Sequence, residues 1–226
     1  MTIKGLIFDF DGLIVDTEES IFQSWQELYK SYGYDIPVQK WIKIIGTAEA
    51  IFDPADELDR LVGSRLDWKT IEPARQRREM DLINGLPPLP GVPEILSDAK
   101  LIGLKVGLAS SSTCAWVTMH LKRLGLLEYF DCLLARDDVN RTKPDPELFQ
   151  SALVALELLP EQAVVFEDSP NGVLAARRAG IFSVAVPGRL TRELPLDDAN
   201  LRLNSLSDLP LRDLLILVEE RQKQLS

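Results

Sequence analysis

Two aspartates stand two residues apart in Phe8-Asp9-Phe10-Asp11-Gly12, directly after a short apolar run. Carboxylates that leave the end of a strand in this spacing emerge close together, where one can act as a nucleophile and the other can move a proton. A second acid pair, Glu167-Asp168, also follows an apolar run and leads into Ser169-Pro170-Asn171-Gly172. Four carboxyl groups on one sheet edge would repel one another and raise their own pKa values unless a cation neutralised them. Donor sets made only of oxygen favour magnesium over zinc or copper. Two further segments offer partners for an anion. Ser110 and Ser111, in Ala109-Ser110-Ser111-Ser112-Thr113, precede a predicted helix, where hydroxyls and backbone N–H groups can bind an anion or simply cap the helix. Lys143, in Thr142-Lys143-Pro144-Asp145-Pro146, places a point charge on a stiffened turn. Together these residues supply a carboxylate nucleophile, a second carboxylate, anion donors and an acidic metal seat, which is the inventory for phosphoryl transfer.

Bringing these segments together requires a particular order of elements. Residues 3–8 form a β-branched and aromatic run that reads as a buried strand. Ile21, Phe22, Trp25, Leu28, Tyr29 and Tyr32 then recur at helical spacing, with Asp16 or Thr17 placed to cap a helix that stops near Gly33. Residues 16–85 are charged and helical in pattern, and Leu86-Pro87-Pro88-Leu89-Pro90-Gly91 follows as a stiff return linker. The remainder alternates: helix 92–101, strand 105–109, helix 114–124, strand 132–135, helix 146–158, strand 163–166, helix 172–179, strand 181–186. Such alternation predicts an α/β fold, a Rossmann-like parallel sheet with helices on both faces. Functional residues of such sheets lie beyond the carboxyl ends of the strands. The expected division is a catalytic core of residues 1–15 and 86–226 with a small helical cap, residues 16–85, inserted after the first strand.

With 226 residues, 46% of them hydrophobic, the chain has the balance of a globular protein. A net charge of −10 argues against nucleic-acid binding through a broad basic surface. Two cysteines are too few for a disulfide framework, and no apolar stretch approaches the length of a membrane span. The expectation is a cytoplasmic monomer acting on a small phosphorylated substrate.

The segments FDFDGLIVDT, LASSS, KPDPELF and FEDSPNG resemble the four ordered motifs of the haloacid dehalogenase superfamily. The helical insert resembles the small cap of the branch that includes β-phosphoglucomutase and many sugar-phosphate and nucleotide phosphatases. The resemblance implies that Asp9 is the nucleophile and Asp11 the general acid, then base. It implies that Ser110 and Lys143 hold the transferring group. Magnesium would be bound by Asp9, the Asp11 carbonyl and Asp168, with Glu167 in support. The implied activity is a magnesium-dependent phosphatase that passes through a phosphoryl-aspartate. A hexose-phosphate mutase is the alternative, but Ile21 occupies the mutase histidine position, and Ile44-Ile45-Gly46-Thr47-Ala48-Glu49 lacks the arginine that grips a distal phosphate. Asp11 and the second acid pair argue against a dehalogenase, and no cap lysine is marked as the imine former of a phosphonate hydrolase. A catalytically silent binder would be expected to lack a nucleophile or a metal acid. Substrate selection falls to Thr17, Gly46 and Thr47. His120, the sole histidine, is expected to be an ordinary surface or packing residue.

Overall fold

The computed structural model describes residues 2–42, 44–45 and 52–225. Its strands are β1 (Gly5–Phe8), β2 (Lys105–Ala109), β3 (Cys132–Leu134), β4 (Ala163–Glu167), β5 (Phe182–Ala185) and β6 (Leu201–Arg202). They form one parallel sheet in the order β3-β2-β1-β4-β5-β6. The order reverses direction at β1, and the crevice beside such a switch point is where open α/β sheets bind ligands. Phe8 of β1 is level with Leu108 of β2 and Phe166 of β4. The residues that follow those three, Asp9, Ala109 and Glu167, are therefore delivered to one height at the carboxyl edge.

Side chains alternate between the sheet faces along each strand. Leu6, Phe8, Val106, Leu108, Val164 and Phe166 face one core. There they meet α5 (Val92–Leu101), α6 (Cys114–Leu124) and α9 (Leu211–Leu225). Ile7, Ala163 and Val165 face the other core, against α7 (Glu147–Leu156) and α8 (Pro170–Arg178). Phe8 and Phe166 lie with ring centroids 4.9 Å apart, both fully buried. Burial of each such side chain contributes roughly 1.5–3 kcal/mol.

Between β1 and α5 run α1 (Thr17–Ser31), α2 (Val38–Trp41), α3 (Pro54–Val62) and α4 (Trp68–Asn84). Asp16 caps α1 by accepting from the Glu19 N–H. These helices gather Phe22, Trp25, Tyr29, Trp41 and Leu58 into a separate hydrophobic cluster. Leu190, from the segment after β5, joins that cluster. The outgoing and returning chains are tied where the Leu89 N–H donates to the Ile14 carbonyl at 2.8 Å.

Several boundaries shift from the sequence pattern. The helix expected at 172–179 begins at Pro170, because Ser169 caps the Gly172 N–H and proline fits the first helical turn. The helix expected at 146–158 spans Glu147–Leu156 and ends at Glu157, whose φ is +53°. β6 and α9 lie beyond residue 186, where no element was expected. β6 has only two residues, too few for a periodic signal, whereas α9 carries buried Leu211, Leu214, Leu215 and Val218 at helical spacing. Among the described residues no helix is long and apolar enough to cross a membrane.

Candidate active site

The carboxyl ends of β1, β2 and β4 open into a cavity of about 280 Å³ bordered by Asp9, Asp11, Ser110, Lys143 and Asp168. A larger cavity, about 530 Å³, lies near Thr2, Ile181 and α9 at the opposite edge of the sheet. It contains none of the residues expected to do chemistry.

Lys143 is the hub of the floor. Its ammonium donates to Asp9 Oδ1 at 2.5 Å, to Glu167 Oε1 at 2.6 Å and to the Ala109 carbonyl at 2.7 Å. All three protons are engaged, and the side chain is only 5% exposed. Burial opposes its charge, but the carboxylates of Asp9 and Glu167 outweigh burial and raise its pKa. Asp9 has the opposite balance. Burial raises its pKa to about 7, with Lys143 pulling down and Glu167 and Asp11 pushing up. Burial, then repulsion from Asp9, Glu167 and Glu18, lifts Asp168 well above the usual carboxylate range.

Asp11 sits differently. Its Oδ1 accepts from Thr17 Oγ1 at 2.9 Å and Trp116 Nε1 at 3.0 Å, and its Oδ2 accepts from Ser112 Oγ at 2.6 Å. These are neutral donors from α1, the β2–α6 turn and α6. Thr17, singled out as a substrate selector, is fully buried with its hydroxyl directed at Asp11. Ser110 is also buried, and its oxygen accepts the Ser112 N–H at 3.0 Å. Ser111 is exposed on the cavity rim.

Glu167 is fully buried. Beyond Lys143 it accepts from the N–H groups of Asp168 and Ser169 and from the Ser169 hydroxyl, at 3.1–3.2 Å. Its carboxylate lies so close to α8 that a Cβ on Gly172 would fall 1.8 Å from its carboxyl carbon. Gly12 has the same intimacy with Asp168: at φ +81° it holds a conformation that disfavours a side chain, and its Cβ would fall 2.2 Å from Asp168 Oδ2.

Asp9, Glu167 and Asp168 each offer a carboxylate oxygen, all within 4.8 Å of one another. Three buried acids crowded together, with donors that are all oxygen, fit a hard dication such as magnesium. Glu167 already has both oxygens hydrogen-bonded, which suits support of the metal seat better than direct ligation.

A model of the family described as haloacid dehalogenase-like hydrolase matches residues 6–186. The chain belongs to that family. It is 42% identical over 213 residues to YhcW of Bacillus subtilis (strain 168), a provisionally named phosphatase, covering 94% of this chain and 96% of that one. It is 35% identical over 185 residues to the fructose-1-phosphate phosphatase YqaB of Escherichia coli (strain K12), covering 80% and 95%. Among solved structures, β-phosphoglucomutase of Clostridium difficile superposes with a TM-score of 0.72 at 26% identity, covering 96% and 98%.

In this haloacid dehalogenase-like site, Gly46 and Thr47 lie outside the described residues. Several contacts escaped the sequence. Ser112 stands within a recognised segment, yet nothing in its spacing says that it reaches Asp11. Trp116 lies one turn into α6, and Thr191, whose hydroxyl is 3.5 Å from Asp168 Oδ2, is 23 residues away from it. Glu18 and Glu79, from α1 and α4, also border the cavity. Glu18 directly follows Thr17 and was within reach of motif reading, whereas Glu79 sits in a charged helix with no local mark. His120 is fully buried between Phe10 and Trp116 as a packing residue.

Proposed function

We propose that this haloacid dehalogenase-like hydrolase is a magnesium-dependent phosphatase for small phosphorylated metabolites, with Asp9 carrying the phosphoryl group between two half-reactions. The observation that carries the reading is the contrast between two carboxylates in one cavity. Asp9 is gripped by an ammonium and Asp11 by three neutral donors. Asp9 has the place of a nucleophile whose charge is kept close to cations. Asp11 has the place of a proton carrier, because Trp116 can only donate while the Ser112 hydroxyl can donate to a carboxylate or accept from an acid.

In the first half-reaction an Asp9 oxygen attacks phosphorus, the bond from phosphorus to the ester oxygen breaks, and Asp11 gives that oxygen its proton. In the second, ionised Asp11 takes a proton from water as the water oxygen attacks phosphorus, freeing Asp9 and inorganic phosphate. Lys143 and Ser110 would hold the phosphoryl oxygens. Magnesium, held by Asp9, Asp168 and the Asp11 carbonyl, would neutralise phosphoryl charge so that two anions can meet. Residues 16–85 would act as a cap that closes over the cavity and excludes water until the phosphoryl-enzyme forms. Ile21, Ile45 and the two glutamates from this segment already border the cavity.

The relatives named as phosphatases support hydrolysis over mutation. So does the cavity: among its described lining residues Lys143 is the single cation, where a mutase must grip a second phosphate. The deciding experiment is phosphate release from a panel of phosphorylated metabolites with magnesium, with Asp9→Asn alongside. Release by the wild type, a loss of about 10⁴-fold or more in a folded Asp9→Asn, and abolition by chelator with restoration by magnesium rather than calcium are expected. Turnover retained by Asp9→Asn would end the nucleophile assignment, and full activity in chelator would end the metal assignment.

A further inference from the structure

We infer, on the reading of the site just given, that Glu18 and Glu79 select a monophosphate whose leaving alcohol carries hydrogen-bond donors and bears no second anionic group. Glu18 stands in the first turn of α1 and Glu79 near the end of α4, and both border the cavity that holds Asp9 and Asp11. Glu18 has no hydrogen bond or ion pair among the described residues, and the charges it senses most strongly are all negative: Asp11, Asp9, Asp16 and Glu79. Asp11 leads that series. Glu18 shares the cavity lining with Asp11, the group that would protonate the leaving oxygen, so the leaving alcohol would lie within its reach.

Among the described residues of the insert, the cation beside Glu79 is already committed. The Arg75 guanidinium donates to Glu72, to Ser24 Oγ and to Glu79 Oε2, and stacks on Trp25 at 4.5 Å. Its side chain is 8% exposed and does not border the cavity. A second phosphate or a carboxylate on the leaving group would therefore meet acids at this end, with Lys143 and the metal seat at the other. Hydroxyl or ammonium groups would instead give Glu18 the donors it lacks. A half-buried acceptor of this kind discriminates once substrate covers it, because a substrate without a donor leaves it unpaired. The volume points the same way. At about 280 Å³ the cavity falls just below the roughly 300–1,000 Å³ of pockets for drug-sized ligands. It encloses a short polyol more readily than a nucleoside.

The test compares sorbitol 6-phosphate with 6-phosphogluconate, which differ at the far end by a hydroxymethyl group against a carboxylate, at saturating magnesium. p-Nitrophenyl phosphate serves as a generic ester. A compound that is not turned over is read as a competitive inhibitor of p-nitrophenyl phosphate hydrolysis. The wild type should favour sorbitol 6-phosphate by at least about tenfold in kcat/KM or inhibition constant. Glu18→Gln and Glu79→Gln should each shrink that ratio. A wild-type ratio near one, or a ratio that neither substitution moves, overturns the selection argument while leaving the phosphatase reading intact. No hydrolysis of p-nitrophenyl phosphate or any other ester overturns the phosphatase reading and this inference with it. The wild-type ratio needs no variant to fold.

Discussion

The carboxyl edge of the sheet and the helical insert bury opposite things. At the edge, Asp9, Lys143, Glu167 and Asp168 are each no more than 7% exposed, in direct contact with one another or with main-chain polar groups. The insert buries rings, Phe22, Trp25, Tyr29 and Trp41, and pairs its charges, as Arg75 with Glu72 and Glu79 and Lys40 with Glu57. The same carboxyl chemistry responds in opposite directions. Burial lifts Asp9 to about 7, while hydrogen bonds from Arg60 and Lys40 lower Glu57 on α3 to about 2. One region holds charge under strain where a reaction can relieve it. The other is an apolar cluster ringed by ion pairs, which meets the chemistry through residues such as Thr17, Glu18 and Glu79.

The sharpest way to break that contrast is to remove the hub. Lys143→Met leaves Glu167 buried without its ammonium partner, and breaking a buried pair from one side costs about 3–5 kcal/mol. Urea unfolding should show that loss, and phosphate release should fall by about 10²–10³-fold. Adding Glu167→Gln should recover stability without activity. A Lys143→Met protein as stable as the wild type would mean that the edge does not depend on charge pairing.

A second, smaller effect tests the seam between the regions. Leu190 reaches from the segment after β5 into the insert's cluster, its neighbour Arg189 pairs with Glu19 of α1, and Thr191 touches Asp168. Leu190→Ala should cost about 2–5 kcal/mol in thermal or urea unfolding. If the insert were an independent body, the transition would split in two. A single cooperative shift is expected, because the same five residues, 187–191, serve both regions.

What could be read from the sequence follows from distance along the chain. Asp9 and Asp11, Ser110, and Glu167 with Asp168 each end or follow an apolar run, so strand alternation alone predicts one shared edge, and the parallel sheet places them there; Lys143, marked in the sequence only by its proline-flanked turn, joins them. The partners of Asp11 were not legible. Ser112 and Trp116 lie 101 and 105 residues away from it, and no periodicity links them. Thr17 looked like a residue available to substrate because its type and position suit that, yet a hydroxyl six residues after Asp11 turns back onto it. Leu190 was invisible for a related reason: a lone leucine in a loop has no pattern to betray which core it enters.

The smallest effect concerns the only histidine. His120 is fully buried behind Trp116, the donor to Asp11 Oδ1; its Nδ1 accepts from Arg123 Nε at 3.4 Å, and its Nε2 has no partner among the described residues. Burial, then the Arg123 charge, lowers its pKa from the ordinary 6.5, against a weaker pull upward from Asp11. The unfolded chain therefore binds a proton on this ring before the folded one does. Its contribution to stability is complete above about pH 6.5 and is lost as pH falls through the interval down to the folded value. Carboxyls with raised pKa values, Asp9 and Glu18 among them, titrate near the same range and act in the opposite sense, so the wild-type curve alone would not isolate it. Comparison with His120→Phe does. The phenyl ring keeps the packing against Phe10 and Trp116 and removes an unpartnered buried nitrogen, so at pH 8 the variant should be at least as stable as the wild type. Between pH 6.5 and 5 its advantage in melting temperature should grow. An advantage that stays flat over that interval would show that the ring takes up a proton equally well folded, and that the space behind Trp116 is open to water.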